Sequence, residues 1–213
     1  MSRQIAKGAE ACLYLEDWYG FEVIRKHRIP KSYRIELLDQ TLRGERTIHE
    51  ARLLNAARRA GVHTPIVFDV DPEESTIIME FIAGERLKEL LPKATPSLRR
   101  RYFRQIGEAV AHLHQHRICH GDLTTSNLIL HASRKIYFID FGLATNTQSL
   151  EDFGTDVHLL RRALLSAHYT HWKECFRAFM RGYQTVYGGG AAEVFRKVRA
   201  IESRGRYQTE RIR

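Results

Sequence analysis

The sequence predicts an α+β fold in which a small, β-rich N-terminal lobe at residues 1–82 precedes a reduced helical C-terminal lobe at residues 83–213. In the first lobe, short β-prone runs alternate with turn residues and flank one helical pattern. In the second, long amphipathic patterns surround two short apolar runs. At 213 residues and 43% hydrophobic content, the chain can bury a substantial core.

The N-terminal lobe is predicted to be an antiparallel sheet with one helix. Apolar runs at residues 12–15 and 21–24 flank a turn within a sheet covering residues 4–29, and runs at residues 66–70 and 76–82 flank a second turn. Residues 45–60 have a helical period that ends at Gly61. Its shared face contains one carboxylate among apolar side chains, namely Glu50, Leu53, Leu54 and Ala57.

The C-terminal lobe is predicted to be mainly helical. We expect a short helix at residues 85–91, a long one at 98–115, two short strands at 128–130 and 136–139, and helices at about 156–167, 172–187 and 191–201. The apolar stripe of the long helix consists of Phe103, Ile106, Val110 and Leu113. His112 and His116 have the i, i+4 spacing of metal ligands, but no third ligand stands near them in sequence, so a zinc site is disfavoured.

The composition disfavours membrane and secreted proteins. No run of about 18 apolar residues occurs, so we predict no membrane-spanning helix and no membrane as a partner. Residues 1–10 lack the apolar segment of a secretory signal. Cys12, Cys119 and Cys175 form neither a disulfide framework nor a metal-binding spacing, which favours a reducing, cytoplasmic location.

Two polar clusters flank the short strands of the second lobe. Residues 120–127 read His-Gly-Asp-Leu-Thr-Thr-Ser-Asn, and residues 140–142 read Asp-Phe-Gly. Phosphoryl transfer from ATP needs a carboxylate to orient the acceptor, and an amide with a second carboxylate to hold Mg²⁺ against the phosphates. Asp122 suits the first role, and Asn127 and Asp140 suit the second, at the spacing of a kinase catalytic loop and metal-binding loop. Each cluster alone is a common loop sequence, but their order and spacing favour the catalytic interpretation.

The phosphate-contacting cation is predicted to be Lys26. An ammonium is the usual partner of the α- and β-phosphates, and Lys26 shares a strand face with Ile24, although Arg25 is an alternative one position away. Glu50 needs a partner on its apolar helix face, and a Lys26–Glu50 ion pair would supply it. A surface basic cluster is the alternative reading of Lys26.

Two further segments are candidates for contacts with the nucleotide. Gly8, Ala9, Glu10 and Ala11 stand where a kinase has its glycine-rich loop, but a single glycine also fits an ordinary turn. The strand ending at residues 80–82 is the expected hinge, where Glu80 and Ile82 would present backbone groups to adenine. After Asp-Phe-Gly the chain has no Ala-Pro-Glu triplet and little sequence from which to build a peptide-docking platform.

The charge is strongly positive, with a formal net charge of +9 and a sequence pI near 9.7. Residues 196–213 contain seven Lys or Arg residues and two Glu residues. Such a tail attracts polyanions, although a charge run is more often simply a solvated surface.

In these motifs the chain resembles a known family: the small atypical kinases of the KEOPS (EKC) complex, also called the PRPK family and related to the RIO kinases. The resemblance covers nearly the whole chain, although Phe153 stands where the family usually has lysine, and Arg25 precedes Lys26. It rests on residues 8–11, 26–34, 37–39, 46–52, 79–84, 120–127, 139–144, 151–152 and 204–207.

The resemblance implies a minimal, bilobal protein-kinase-like α+β fold, Mg²⁺-ATP hydrolysis and serine/threonine autophosphorylation. It also implies membership in the complex that installs threonylcarbamoyl on the adenosine beside the anticodon of tRNA. There the kinase would act as an accessory ATPase, docked on the threonylcarbamoyl-transferase (synthase) subunit and on a small partner at its N-lobe. The basic C-terminal tail would then contact tRNA.

Two other classes of protein remain as alternatives to this family. A small-molecule phosphotransferase of the aminoglycoside or choline kinase type also uses His-Gly-Asp, but usually has His at the position of Thr124 and a larger C-terminal lobe. A scaffold pseudokinase that bridges protein and tRNA without catalysis ranks last, because the expected ATP-handling residues are all present in the sequence.

Overall fold

The N-terminal part of the molecule is a five-stranded antiparallel sheet with one long helix. The structure, a computed structural model, describes residues 2–210, with the side chains of residues 2–204. The strands pair in the order β1-β2-β3-β5-β4; the four apolar runs predicted from the sequence are strands, and β1 is an additional first strand. The elements are β1 (Arg3–Lys7), β2 (Ala11–Trp18), β3 (Phe21–Arg28), α1 (Glu36–Arg59), β4 (Val67–Asp71) and β5 (Thr76–Glu80).

Helix α1 begins at Glu36, so the predicted start at residue 45 was wrong. The first turns lack a buried apolar stripe, since Leu37 and Leu38 are exposed, and only the second half buries Leu53 and Leu54. The early turns are instead stabilised by Asp39, which is buried and accepts a hydrogen bond from Arg43 at 2.7 Å. Hydrophobic periodicity therefore identified only the half of α1 that faces the core.

The C-terminal part is mainly helical and contains two small sheets. β10 pairs with β7, and β8 lies between β6 and β9. The predicted hairpin of short strands is present as β8 and β9. The elements are β6 (Gly84–Arg86), α2 (Leu87–Leu90), α3 (Pro96–Gln115), β7 (Ile118–Cys119), β8 (Leu128–His131), β9 (Ile136–Phe138), β10 (Thr145–Asn146), α4 (Leu150–Ala167), α5 (Trp172–Tyr187) and α6 (Ala191–Glu210).

The starts of α2, α3 and α4 and the end of α6 differ from the sequence prediction. The helix expected from residue 85 begins later, because residues 84–86 pair with β8 and the backbone of Gly84 approaches Leu130 closely. Helix α4 begins at Leu150, where the side chain of Ser149 accepts the amide of Asp152. Helix α6 continues to Glu210 instead of ending at Ile201.

Helices α3 and α5 form the centre of the helical part and run in the same direction, since Arg100 contacts Glu174 near their starts and His114 contacts Tyr183 near their ends. They approach closely at glycine: a Cβ atom on Gly107 would lie 2.1 Å from the carbonyl oxygen of Phe179. All four residues of the predicted apolar stripe on α3 are fully buried, in a hydrophobic core that includes side chains of α1, the sheet and the C-terminal helices. No helix among residues 2–210 combines the length and apolar character needed to cross a membrane.

Candidate nucleotide-binding and catalytic site

A cleft between the five-stranded sheet and the β8–β9 hairpin contains two adjoining cavities. One is apolar, has a volume of about 250 Å³, and is lined by Ile24, Met79, Ile82, Ile129 and Ile139 among others. The other, here named the polar cavity because more charged side chains line it, has a volume of about 450 Å³ and lies beneath the loop that joins β1 to β2. The side chains that line both cavities are Leu13, Lys26 and Asp140.

Lys26 joins elements that are far apart in sequence. Its ammonium lies 2.6 Å from Oε1 of Glu50 on α1 and 2.8 Å from Oδ1 of Asp140 after β9. Burial lowers the pKa of Lys26, but the two carboxylates outweigh burial and hold it above its usual value, so the side chain stays charged. At Asp140, burial raises the pKa of the carboxyl group, but the positive charge and hydrogen bond of Lys26 outweigh burial and hold this pKa below its usual value. The predicted Lys26–Glu50 ion pair is present, whereas Arg25 points elsewhere and pairs with Glu16.

The predicted loop residues converge on the same cleft. The amide nitrogen of Asn127 donates to the backbone oxygen of Asp122 at 3.0 Å and to its carboxylate at 2.8 Å. Because both bonds use the NH₂ group, Oδ1 is the atom of Asn127 that is suited to a cation. Asp140 has a φ of +63°, and its carboxylate accepts the amide of Gly142 at 3.3 Å. Asp122 and Asp140 both line the polar cavity.

The loop at residues 8–11 covers the polar cavity as a single turn, closed by a hydrogen bond from the amide of Gly8 to the carbonyl of Ala11. Contacts beyond the turn hold it, since Glu10 pairs with Arg46 of α1 at 3.0 Å and Lys31 donates to the carbonyl of Ala9. Charged side chains thus stabilise a loop in which kinases commonly rely on several glycines.

The expected hinge lines the apolar cavity through Glu80, Phe81 and Ile82. The amide of Glu80 is bonded to the carbonyl of Ile66, and its carboxylate accepts the amide of Ile66. These contacts fix the strand end beside the cavity.

Comparison with known proteins identifies the family. The protein kinase domain matches residues 22–170, which is more than half of the chain. A KEOPS complex subunit Bud32 from Pyrococcus abyssi is 46% identical, and the match covers 96% of each chain. The chain belongs to the Bud32 family of protein kinases.

Other relatives carry related names. A probable serine/threonine-protein kinase BUD32 homolog from Archaeoglobus fulgidus is 47% identical over 89% of this chain and 90% of its own length. A probable bifunctional tRNA threonylcarbamoyladenosine biosynthesis protein from Methanothermobacter thermautotrophicus is 44% identical over 95% of this chain, which spans only 36% of that longer protein. A protein kinase domain implies use of ATP, generally with a divalent metal ion.

Sequence reasoning missed Asp156, whose carboxylate holds the backbone of the loop that contains Asp122. The carboxylate is 1% exposed and accepts the amides of His120 at 2.7 Å and Gly121 at 2.9 Å. It also contacts His114 at 3.2 Å, and the other ring nitrogen of His114 lies 2.8 Å from the hydroxyl of Tyr183. The detectable signal was a single carboxylate on the buried face of α4.

Two further residues, Phe153 and Cys119, lie beside the hydrogen-bond network of Asp156. Phe153, one of the two departures from the family pattern, is buried and stacks on His114 with 4.5 Å between ring centroids. The ligand atoms of His114, Cys119 and Asp156 lie within 4.8 Å of one another, a spacing compatible with a metal ion. However, hydrogen bonds already occupy the His114 and Asp156 atoms, and burial raises the pKa of the Cys119 thiol, which disfavours the thiolate that metal binding needs.

Two buried histidines, one in the loop at residues 120–127 and one packed against it, predict acid sensitivity. Nδ1 of His120 accepts the amide of Asp122 at 3.3 Å, and His168 lies 3.0 Å from the hydroxyl of Thr125. Burial lowers the pKa of both rings; nearby carboxylates oppose this effect at His120, whereas the positive charges of His171 and Lys88 add to it at His168. An unfolded histidine titrates near pH 6.5, so the unfolded chain takes up protons first as the pH falls below that value.

We therefore expect the free energy of unfolding, measured by urea titration, to fall between about pH 7 and pH 5. His120→Gln should reduce this pH dependence, whereas His116→Gln, at an exposed position, should leave it unchanged. A flat stability profile across this range in the wild-type chain would contradict the assignment of neutral buried rings.

Proposed function

We propose that this chain is an Mg²⁺-ATP-dependent serine/threonine kinase and ATPase that serves as an accessory subunit of a KEOPS complex and supports threonylcarbamoyladenosine modification of tRNA. The observation that carries the catalytic part is the contact of Lys26 with both Glu50 and Asp140 where the two cavities meet. The names of the relatives carry the biological part.

The two cavities suggest how the nucleotide is held. Adenine would occupy the apolar cavity, with the backbone of Glu80 and Ile82 beside it. The phosphates would lie in the polar cavity below residues 8–11, within reach of Lys26. The oxygen atoms of Asn127 and Asp140 are hard ligands of the kind that Mg²⁺ prefers, so the residues present fit the metal.

The catalytic step would depend on positioning and charge. Bound Mg²⁺ would neutralise the charge of the phosphates. Asp122 would orient the attacking hydroxyl or water and accept its proton, while the hydrogen bonds from Asn127 hold the Asp122 carboxylate in place. Asp156 would act from behind the loop, by fixing the backbone amides of His120 and Gly121.

The proposed partners follow from the relatives. A bifunctional relative is named for tRNA threonylcarbamoyladenosine biosynthesis, and this chain matches about a third of it. That fusion supports a direct contact between this kinase and the threonylcarbamoyl-transferase subunit. A small KEOPS subunit at the N-lobe and tRNA at the basic C-terminal tail complete the proposed assembly.

The tail proposal leads to a truncation experiment. The side chains of Arg206, Tyr207, Arg211 and Arg213 lie outside the described residues, but Arg204 pairs with Glu151 at 2.6 Å on an exposed surface. Deleting residues 203–213 removes four arginines and one glutamate. Because an exposed ion pair contributes at most about 1 kcal/mol, thermal stability should change little.

The same truncation should weaken binding of tRNA by the assembled complex, because phosphate contacts are lost. It should also flatten the slope of log affinity against log salt, by about 0.7–0.9 for each lost phosphate contact, and lower tRNA-stimulated ATP hydrolysis. A control that replaces Arg3, at the other end of the chain, with Gln should leave the slope unchanged. A slope that truncation leaves intact would mean that the tail is only a solvated end.

The small-molecule kinase and the scaffold make different predictions. Transfer of phosphate to an aminoglycoside or choline, with no effect on tRNA modification, would favour the first. Undetectable binding of ATP by the purified chain with Mg²⁺ would favour the second. Thr124 stands where the small-molecule kinases usually have His, and Lys26, Asp122, Asn127 and Asp140 converge on one cleft, so neither alternative is preferred.

Copurification with the threonylcarbamoyl-transferase subunit, followed by an ATP hydrolysis assay with Mg²⁺, tests the proposal. We expect a stable complex that hydrolyses ATP. Failure of the two proteins to associate would contradict the proposed partnership, while association without hydrolysis would contradict the enzymatic role.

A further inference from the structure

Arg28 lies on the same face of β3 as Lys26 and is only 4% exposed. Its Nη2 lies 2.5 Å from Oε2 of Glu50, while Lys26 lies 2.6 Å from Oε1. Glu50 is 0% exposed, so both oxygens of a fully buried carboxylate are bonded to a cation. The strand–helix ion pair expected from the sequence is therefore a triad with two cations.

The two cations hold Glu50 in different ways. Lys26 also bonds Asp140 at 2.8 Å, and in phosphoryl transfer this lysine must contact the phosphates while the aspartate turns to the metal ion. Arg28 has no bond to Asp140, so nothing in the proposed reaction requires it to move. A buried carboxylate that loses its partner is costly, and Arg28 keeps one partner on Glu50 throughout the exchange.

Arg28 also lies beside two other parts of the site. Its Nη1 lies 3.5 Å from Glu10 in the loop above the polar cavity, and a Cβ atom on Gly142 would lie 3.4 Å from Nη2. Its guanidinium thus lies between α1, that loop and the metal-binding turn. The Nε atom of Arg28 is buried without a hydrogen-bond partner among the described residues. Burying an unpaired polar atom costs free energy, and an arginine on the surface would not have this cost.

The need for such a residue follows from the short segment after Asp-Phe-Gly. Seven residues, 143–149, separate Gly142 from α4. Kinases with a longer activation segment use its phosphorylation to control the position of the helix that carries the glutamate. Here α1 is instead held by the two cations on Glu50 and by a contact of 2.9 Å between His49 and the carbonyl of Ala144.

We propose that Arg28 is a positioning residue that holds Glu50, and with it α1, in place while Lys26 exchanges Asp140 for the nucleotide phosphates. This inference rests on the proposed ATP-dependent function. It assigns Arg28 no direct contact with the phosphates. Its effect on catalysis therefore passes through Glu50.

A double-mutant cycle tests this route in the full-length chain, with Mg²⁺-ATP hydrolysis as the readout. Arg28→Met should lower kcat by about tenfold or more, since misplaced catalytic groups reduce rates steeply, and should change KM for Mg²⁺-ATP by less than about threefold. Arg28→Lys should recover part of kcat, because a lysine at this position retains one bond to Glu50. In the Glu50→Gln background, neither Arg28 substitution should lower kcat further. Arg25→Met, on the opposite strand face, is the matched control and should retain wild-type kcat.

Three results would overturn the inference: wild-type kcat and KM in Arg28→Met, a raised KM with wild-type kcat in the same variant, or losses of kcat that multiply with that of Glu50→Gln. The last two would indicate a direct phosphate contact. If thermal melting shows that Arg28→Met is unfolded, the comparison of Arg28→Lys in the two backgrounds decides between the same outcomes. If the wild-type chain does not hydrolyse ATP, the proposed function fails and this inference fails with it. If the wild-type chain hydrolyses ATP and one of the three results above is found, only this inference fails.

Discussion

Replacing Asp140 with alanine is expected to lower ATP hydrolysis and autophosphorylation by about a hundredfold or more, and Asp122→Ala should do the same. Asp140→Ala removes the proposed metal ligand and the partner that Lys26 has in the cleft, and Asp122→Ala removes the proposed general base. The fold should survive, because Lys26 retains Glu50 and neither aspartate contributes to the hydrophobic core.

Steady-state hydrolysis with Mg²⁺-ATP measures this effect, and circular dichroism checks the fold. Asp69→Ala, an exposed carboxylate on the far side of the sheet, is the matched control and should keep wild-type turnover. Lys26→Ala should also weaken ATP handling, whereas Arg25→Ala should not. Wild-type turnover in Asp122→Ala or Asp140→Ala would contradict the site assignment.

Replacing Asp156 with alanine should destabilise the chain by about 3–5 kcal/mol, as expected when one partner of a buried charged network is removed. The amides of His120 and Gly121 would lose their acceptor, and His114 would lose its carboxylate. Hydrolysis should fall as well, because these amides belong to the loop that carries Asp122. Asp156→Asn retains one acceptor oxygen and should have a smaller effect.

Urea unfolding measures the stability of the Asp156 variants. Burial raises the pKa of Asp156, but its contact with His114 and the hydrogen bond from the backbone amide of His120 outweigh burial and hold this pKa below its usual value. The wild-type chain should therefore lose this contribution as the pH falls below about 4, and Asp156→Ala should show less of that acid dependence. Asp152→Asn, on the exposed side of the same helix, should cost less than about 1 kcal/mol. Equal stability of Asp156→Ala and the wild type would exclude the anchoring role.

The parts of the site that the sequence predicted are those with a local pattern. Asp122 and Asn127 belong to one loop at a diagnostic spacing, and Asp140 belongs to a recognisable triplet. Glu50 was identified because a carboxylate on an apolar helix face needs a partner, and the structure contains its pair with Lys26. Alternation along β3 also favoured Lys26 over Arg25, and the side chain of Lys26 does point into the cleft.

The missed parts depend on contacts between distant residues. Asp156 lies 36 residues from His120, and Arg28 lies 22 residues from Glu50, so neither pairing has a local spacing. The first turns of α1 and the strand β6 were missed for a related reason. Buried polar groups stabilise the former and sheet pairing the latter, and neither produces a hydrophobic period.

The most direct measurement of the central claim is the amount of threonylcarbamoyladenosine formed on tRNA by a KEOPS complex reconstituted with this chain. We predict that the complex with the wild-type chain modifies tRNA, while complexes that lack the chain or contain Asp140→Ala lose most of that activity at equal subunit content. Modification at the wild-type level without the chain, or with Asp140→Ala in its place, would contradict the proposal that ATP turnover by this kinase supports the reaction.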